Sequence, residues 1–313
     1  MNVDNAVIDL SNCFNLEKVL TRAYNVKFYL PKTLKTYECE NPNTPNLKGN
    51  LDLQNFTSTW NGAEIDINQV LEDLSSNENL QTFNVSNSNV DSKGTEIISN
   101  LHYLKNKPVS ALNLNELANL KKIDLQENLN NIKYLSLYGC INYEDVSTFN
   151  NFTNLEILNL YKTKVKSLDG IKTNIHLKNL NIDSTLISSL EPLSNLNNME
   201  ILKCSNAKIS SLKGIENMVN MTDLDVSNNS ISNLYYLSNL FDKGNIKLNS
   251  LNLANNLLEN NESMIIDGNV KTINNVEIIK KLYNAGLRNI DISGNNFMDT
   301  SEIKSLKWNS YKE

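Results

Sequence analysis

The side chains best suited to covalent or acid–base chemistry are scarce in this chain. It has two histidines, His102 and His176, and four cysteines, Cys13, Cys39, Cys140 and Cys204, in 313 residues. A nucleophile needs a base within hydrogen-bond reach and a third group to orient that base. His102 lies in a stretch of helical apolar spacing and His176 at a junction between two repeating segments, so neither is set against a Ser or Cys. No phosphate-cradling glycine loop, paired metal-ligand spacing or nucleophile motif occurs. The run DVSNNS from Asp225 begins like a calcium loop but lacks its glycine and terminal Glu. The expectation is a protein that is not an enzyme, with no catalytic residue, no metal and no cofactor.

What remains is non-covalent chemistry, carried by tyrosines and aspartates whose placement depends on a repeat. From Leu155 the chain reads Leu155-x-x-Leu158-x-Leu160-x-x-Thr163-x-Val165-x-x-Leu168-x-x-Ile171, and the template restarts every 22 residues at Leu177, Met199 and Met221. In a strand, alternate side chains point to opposite faces, so Leu158 and Leu160 face a core while Asn159 and Tyr161 face away. Val165, Leu168 and Ile171 recur every three residues, which suits a 3₁₀-like return toward the same core. Such a unit cannot bury its apolar face alone, so neighbours must stack on it. At the ninth position Asn229, Asn256 and Asn295 can bond backbone groups at the turn. Thr163, Thr185 and Cys140 can partly replace them, and Ala207 cannot. Cys204 takes an inward Leu position, so Cys140 and Cys204 read as buried structural thiols.

The template LxxLxLxxNxL is that of leucine-rich repeats, and SLKGIENMVNMTDLDVSNNSISNL, residues 211–234, resembles the 22-residue repeats of bacterial internalin-type proteins. The resemblance implies an α/β solenoid: a leucine-rich-repeat horseshoe with a parallel concave sheet and short helices or 3₁₀ turns on the convex side. It also implies a protein-binding module, secreted or displayed on a bacterial surface. Internalins carry a helical N-terminal cap, an Ig-like domain after the repeats and often a wall anchor, and none of these is recognisable here.

Three segments are expected in one continuous solenoid: irregular repeats and a cap over 1–79, regular repeats over 80–298 and a C-terminal cap over 299–313. Ile8 to Cys13 and Leu34 to Cys39 have repeat spacing and lie in register, while the third candidate, Leu51 to Phe56, follows so soon that one of the last two is not a full unit. NPNTPN, 41–46, reads as a loop. Asp66 can cap a short helix that buries Ile67, Val70, Leu71 and Leu74. Leu80, Phe83, Val85 and Val90 begin the secure register, followed by a helix over about 95–106 that turns Ile97, Ile98, Leu101 and Leu104 inward and ends at Pro108. Units then start at Val109, Ile132, Leu155, Leu177, Met199, Met221, Leu248 and Leu287, with an insertion over 241–247. The long unit from Leu248 holds a surface loop, 259–272, then a helix through Val276, Ile279 and Leu282, with Gly286 at its left-handed end. A polar helix over 299–307 with Trp308 as a lid closes the last unit.

The net charge of -6 and a pI near 5.2, with no Lys/Arg cluster, argue against an electrostatic nucleic-acid or membrane binder. No stretch has the apolar length of a membrane span. The first ten residues lack a basic leader, which leaves two locations open: the cytoplasm, or the outside after removal of a leader.

With this register, Tyr134, Tyr138, Ile157 and Tyr161 fall on adjacent strands of the concave face, roughly 5 Å apart. Rigid tyrosines there suit the anchors of a protein interface. Asp183, Asp223, Asp225 and Asp291 follow on the same face, with Ile201 among them and Lys203 as the only base of the central strands. A basic segment of an unidentified partner protein fits such a surface. Three other readings stay open: a solvated face that binds nothing, an intracellular structural or regulatory scaffold, and carbohydrate binding.

Overall fold

Inward-facing strand side chains two residues apart, repeated once per unit of the chain, line up from unit to unit along a parallel sheet. The computed structural model describes residues 6–22, 26–40, 45–89, 96–240 and 247–313. They form two compact units, 1–164 and 165–313.

In the first unit, Lys18–Thr21, Thr36–Cys39, Asn55–Glu64, Thr82–Asn89, Ala111–Asn113, Tyr134–Ser136 and Ile157–Asn159 lie side by side in chain order, all parallel. Their register aligns Val19, Tyr37, Phe56, Phe83, Leu112, Leu135 and Leu158 in one buried row. Aromatic rings fill its start, with Tyr37 on Phe56 at 5.9 Å and Phe56 on Phe83 at 5.3 Å. A second, two-stranded parallel sheet pairs Ala6–Asp9 with Val26–Tyr29, and Tyr29 bridges to Asn46.

That second sheet corrects the expected start of the array. Ile8 belongs to the return side, and the strand beside Tyr37 is centred on Val19. The segments from Leu34 and Leu51 both supply strands to the main sheet. Extended backbone rises about 3.3 Å per residue against 1.5 Å in a helix. A unit that returns through a strand therefore closes with fewer residues, here 18 from Val19 to Tyr37 and 19 from Tyr37 to Phe56.

The helix after Asp66 forms as expected over Ile67–Asp73, with the Asp66 carboxylate accepting from the Gln69 N–H at 2.9 Å. Within the span expected as a helix over 95–106, the structure has a short strand, Ile97–Ile98, paired with Lys122–Ile123, then a 3₁₀ helix, Asn100–Leu104. Ile98, Leu101 and Leu104 are buried, whereas Ile97 points outward as strand alternation requires. Val90, residue 95 and residues 241–246 of the expected insertion, with 41–44 of the expected NPNTPN loop, lie outside the described residues.

In the second unit Asn179–Asn181, Ile201–Lys203, Asp223–Asp225, Ser250–Asn252, Asn289–Asp291 and Ser310–Lys312 are parallel neighbours in that order. The three-residue apolar spacing returns through 3₁₀ turns at Asp169–Ile171 and Glu191–Leu193, with Val165, Leu168 and Ile171 fully buried. The stretch expected as a loop over 259–272 is instead a hairpin of Asn261–Ile266 and Asn269–Asn274. Asp267 and Gly268 turn it with φ of 51° and 78°, the two positive angles of a type I′ turn. The helix Asn275–Asn284 follows and buries Val276, Ile278, Ile279 and Leu282, with Gly286 at φ 120° beyond its end. At the C-terminal side the helix is only Ser301–Lys304. Trp308 packs edge-on against Tyr283 at 4.8 Å, and Ser310–Lys312 adds a further strand. Among the described residues no helix is long and apolar enough to cross a membrane.

Candidate partner-binding face

The backbone ladder runs on past each three-residue strand, with the sixth and eighth N–H groups donating to the next repeat, as Ile182 does to the Lys203 carbonyl and Ser184 to the Ser205 carbonyl at 2.8 Å each. The seventh N–H has to be met by a side chain. The fifth residue of the template does this with a side-chain oxygen. Asn159 accepts from the Tyr161 N–H at 3.0 Å, Asn181 from Asp183 at 2.9 Å, Asp225 from Ser227 at 3.0 Å, Asn252 from Ala254 at 3.1 Å and Asp291 from Ser293 at 3.0 Å. Lys203 has no acceptor and Ser136 is turned to Asn115, so in those repeats the preceding unit supplies the oxygen. Asp183 accepts from the Ser205 N–H at 2.6 Å, and Asn115 from the Tyr138 N–H at 3.0 Å. The eighth residue then takes a positive φ: Glu116, Gly139 and Lys162 in the first unit, and Ser184, Asn206, Asn228, Asn255 and Gly294 in the second.

The aspartates on this face therefore have structural duties. Burial raises the carboxyl of Asp183, the bonds from Ser205 oppose that, Asp225 adds to it and Lys203 counters it. Burial acts the same way on Asp291, but the Ser293 hydroxyl and N–H and the Lys312 ammonium outweigh it, and the carboxyl is held low. Asp225 also accepts from the Ser227 hydroxyl at 2.7 Å and from Asn252 at 3.1 Å. Asp223 accepts from the Thr222 hydroxyl at 2.6 Å. Ile201 pairs with Asp223 and Lys203 with Asp225 across neighbouring strands; Lys203 is exposed and the other three are half-buried.

In the first unit the four candidates fall into two pairs, one at the third and one at the seventh position of the template. Tyr134 and Ile157 are register partners and half-buried. Tyr138 stacks on Tyr161 with centroids 5.1 Å apart and planes 25° from parallel. Lys162 places its Nζ over the Tyr161 ring at 5.1 Å. Farther along the same face, a row that sequence reasoning missed begins with Leu20, which is 60% exposed and paired with Glu38. Leu20, Glu38, Glu40 and Arg22 border a depression of about 320 Å³, with Arg22 and Glu40 3.4 Å apart. Only the short N-terminal units could have revealed it, because their register sets the pairing of Leu20.

The two histidines sit apart from this face. His102 lies in the 3₁₀ helix with its ring 4.1 Å from that of Tyr103, and His176 is exposed. Cys140 and Cys204 are fully buried, and desolvation pushes the Cys140 thiol up to about 12. Among the described residues no group of three or more His, Cys, Asp or Glu could hold a metal ion.

Solved structures with the same architecture come from bacteria and plants. The chain is similar to an internalin, InlF, of Listeria monocytogenes, at 21% identity over 95% of this chain and 86% of that one, with a TM-score of 0.55. A leucine-rich-repeat protein of Leptospira interrogans matches at 19% identity over 96% and 73%, with a TM-score of 0.58. The plant peptide hormone receptor RGFR1, solved in complex with RGF2, matches at 15% over 95% and 54%, with a TM-score of 0.52. No protein-family model matches the sequence, and no curated protein does. The fold these likenesses share is the leucine-rich-repeat solenoid. This chain has that fold, and its repeats resemble those of internalins.

Proposed function

We propose that this chain is a non-enzymatic recognition module that binds a partner protein on the open, concave face of its sheet. The observation that carries the reading is the stacked pair Tyr138 and Tyr161, held in register beside Tyr134 and Ile157 on a face with no core to fill. Aromatic rings on short, fixed backbone lose little entropy on binding, which is why such residues dominate interface energetics. Asp183, Ile201, Lys203, Asp223 and Asp225 make a second, more polar contact region in the other unit. The turn-capping bonds of Asp183 and Asp225 support a positioning duty there, and the tyrosines act as the anchor. A solved protein of the same fold, the plant receptor, is in complex with RGF2.

Capture of partners from the medium and lysate of the source organism and its host, by wild type and by a Tyr134→Ser, Tyr138→Ser, Tyr161→Ser variant with an unchanged melting temperature, tests the reading. A partner bound by wild type should lose about 2 kcal/mol or more of affinity to the variant, roughly thirtyfold. Equal binding by both proteins would remove the tyrosine face from consideration.

A further inference from the structure

The row of seventh-position side chains in the first unit ends in a ring with one uncovered face. The order is Asn115, Tyr138, Tyr161, so Tyr161 occupies the face of Tyr138 turned toward its own repeat. The opposite face looks toward Asn115. Asn115 leaves it open, because its Oδ1 is drawn to the strand by the Tyr138 N–H at 3.0 Å and the Ser136 hydroxyl at 2.5 Å. Tyr138 is accordingly 37% exposed.

Glu116 follows Asn115 and lies over the turn that follows Tyr138. Its N–H donates to the Tyr138 carbonyl at 2.6 Å, and its side chain crosses Gly139, where an added Cβ would meet the Glu116 Cγ at 2.8 Å. Gly139, at φ 71°, thus provides both the left-handed turn and the room for the acidic side chain. Among the described residues Glu116 has no ion-pair partner. The other ring of the stack shows what chemistry the platform accepts, since the Lys162 ammonium lies over Tyr161.

A tyrosine face attracts cations through its quadrupole, and a guanidinium can stack flat on the ring while its edge donors reach a carboxylate. We infer that the uncovered face of Tyr138 and the Glu116 carboxylate form a seat for one arginine side chain of the partner protein. The inference rests on the tyrosine face being the partner-binding surface and adds the identity of the residue that anchors there.

The test needs no partner. N-acetyl-arginine amide is titrated into the full chain carrying ring-labelled tyrosines, with N-acetyl-citrulline amide as the uncharged isostere, and ring signals are followed by NMR. Arginine should shift the Tyr138 signals with a midpoint of roughly tens of millimolar and leave Tyr134 still. Citrulline should bind about fivefold more weakly or less, and Glu116→Gln should weaken arginine about threefold at unchanged melting temperature. Equal response to both compounds, no response, or a Glu116→Gln protein that binds arginine like wild type would overturn the seat. Failure here alongside tyrosine-dependent capture of a partner would drop the arginine seat and keep the binding face.

Discussion

At the scale of single residues, two positions of the repeat decide whether the turn after each strand closes. The eighth position must adopt a left-handed conformation, which costs a residue with a Cβ about 1–2 kcal/mol, while glycine pays only its larger loss of freedom on folding. Ser184 holds φ 56° there. Its backbone N–H serves the ladder by donating to the Ser205 carbonyl at 2.8 Å. Ser184→Gly should stabilise the second unit by about 0.5–1 kcal/mol, read as a higher urea midpoint. Asp183 supplies the other requirement, the oxygen that holds the Ser205 N–H. Its carboxyl is raised above the ordinary value of 3.8 by burial. Such a group keeps its proton in the folded state at a pH where the unfolded chain has lost it, so its ionisation subtracts from stability as pH climbs from near 3.8 through the raised folded value. Asp183→Asn retains an oxygen for Ser205 and removes that charge. The variant should therefore be more stable than wild type at pH 7, and the advantage should shrink as the pH is lowered to 4 and below. Melts at both pH values check this, and a constant difference would mean that Asp183 titrates no differently in the two states.

At the scale of the element, the asparagine ladder joins each turn to its neighbours. Asn256 donates to the Val226 carbonyl at 2.9 Å and the Leu253 carbonyl at 3.0 Å, and accepts from the Ile231 N–H at 3.0 Å. It is buried, so Asn256→Ala strands three backbone groups away from water. The expected loss is about 3 kcal/mol by denaturant unfolding, against a much smaller loss for Asn197→Ala on the surface. This ladder, the buried rows and the outward register of Tyr134, Tyr138, Ile157 and Tyr161 were all legible in the sequence, because period-two strands at a 22-residue spacing admit one phase. The return segments were less legible, since a run such as Ile97 to Leu104 satisfies helical and 3₁₀ spacing alike and tertiary pairing with Lys122–Ile123 decides between them. Asp267-Gly268 did carry a hairpin signal, obscured by the polar residues around it. Val19 was hidden for another reason: its unit is too short for the 22-residue template, so the Leu20 and Glu38 row had no register to be read from. The turn caps at Asp183 and Asn115 were also out of reach, because each serves the next repeat and shows only when strands are paired.

At the scale of the whole molecule, a solenoid is a sum of repeats and nearest-neighbour interfaces, so a complete repeat can be removed without destroying the rest. Residues 199–220 make one 22-residue unit bounded by Met199 and Met221, which hold the same place in the template. Deleting them joins Asn198 to Met221 and preserves the phase of every strand that follows. The strand Asn179–Asn181 then meets Asp223–Asp225 in the register that Ile201–Lys203 now provides. The turn bonds survive the operation. Asp225 already caps Ser227 within its own repeat, and the Ser205 N–H that depends on Asp183 leaves with the deleted segment. One cost is electrostatic, because removal of Lys203 takes away a cation that eases the charge on Asp183 while Asp225 remains to oppose it. The shortened chain should unfold cooperatively at a lower denaturant midpoint, with part of the loss recovered by adding Asp183→Asn. Binding separates the two contact regions proposed for this face. The register around Tyr134, Tyr138 and Tyr161 lies in the first unit and is untouched by the deletion. If the tyrosines are the anchor, a partner captured by wild type should bind the shortened chain within about tenfold, about 1.4 kcal/mol. A loss as complete as that of the triple tyrosine variant would instead make Ile201 and Lys203 part of the anchor.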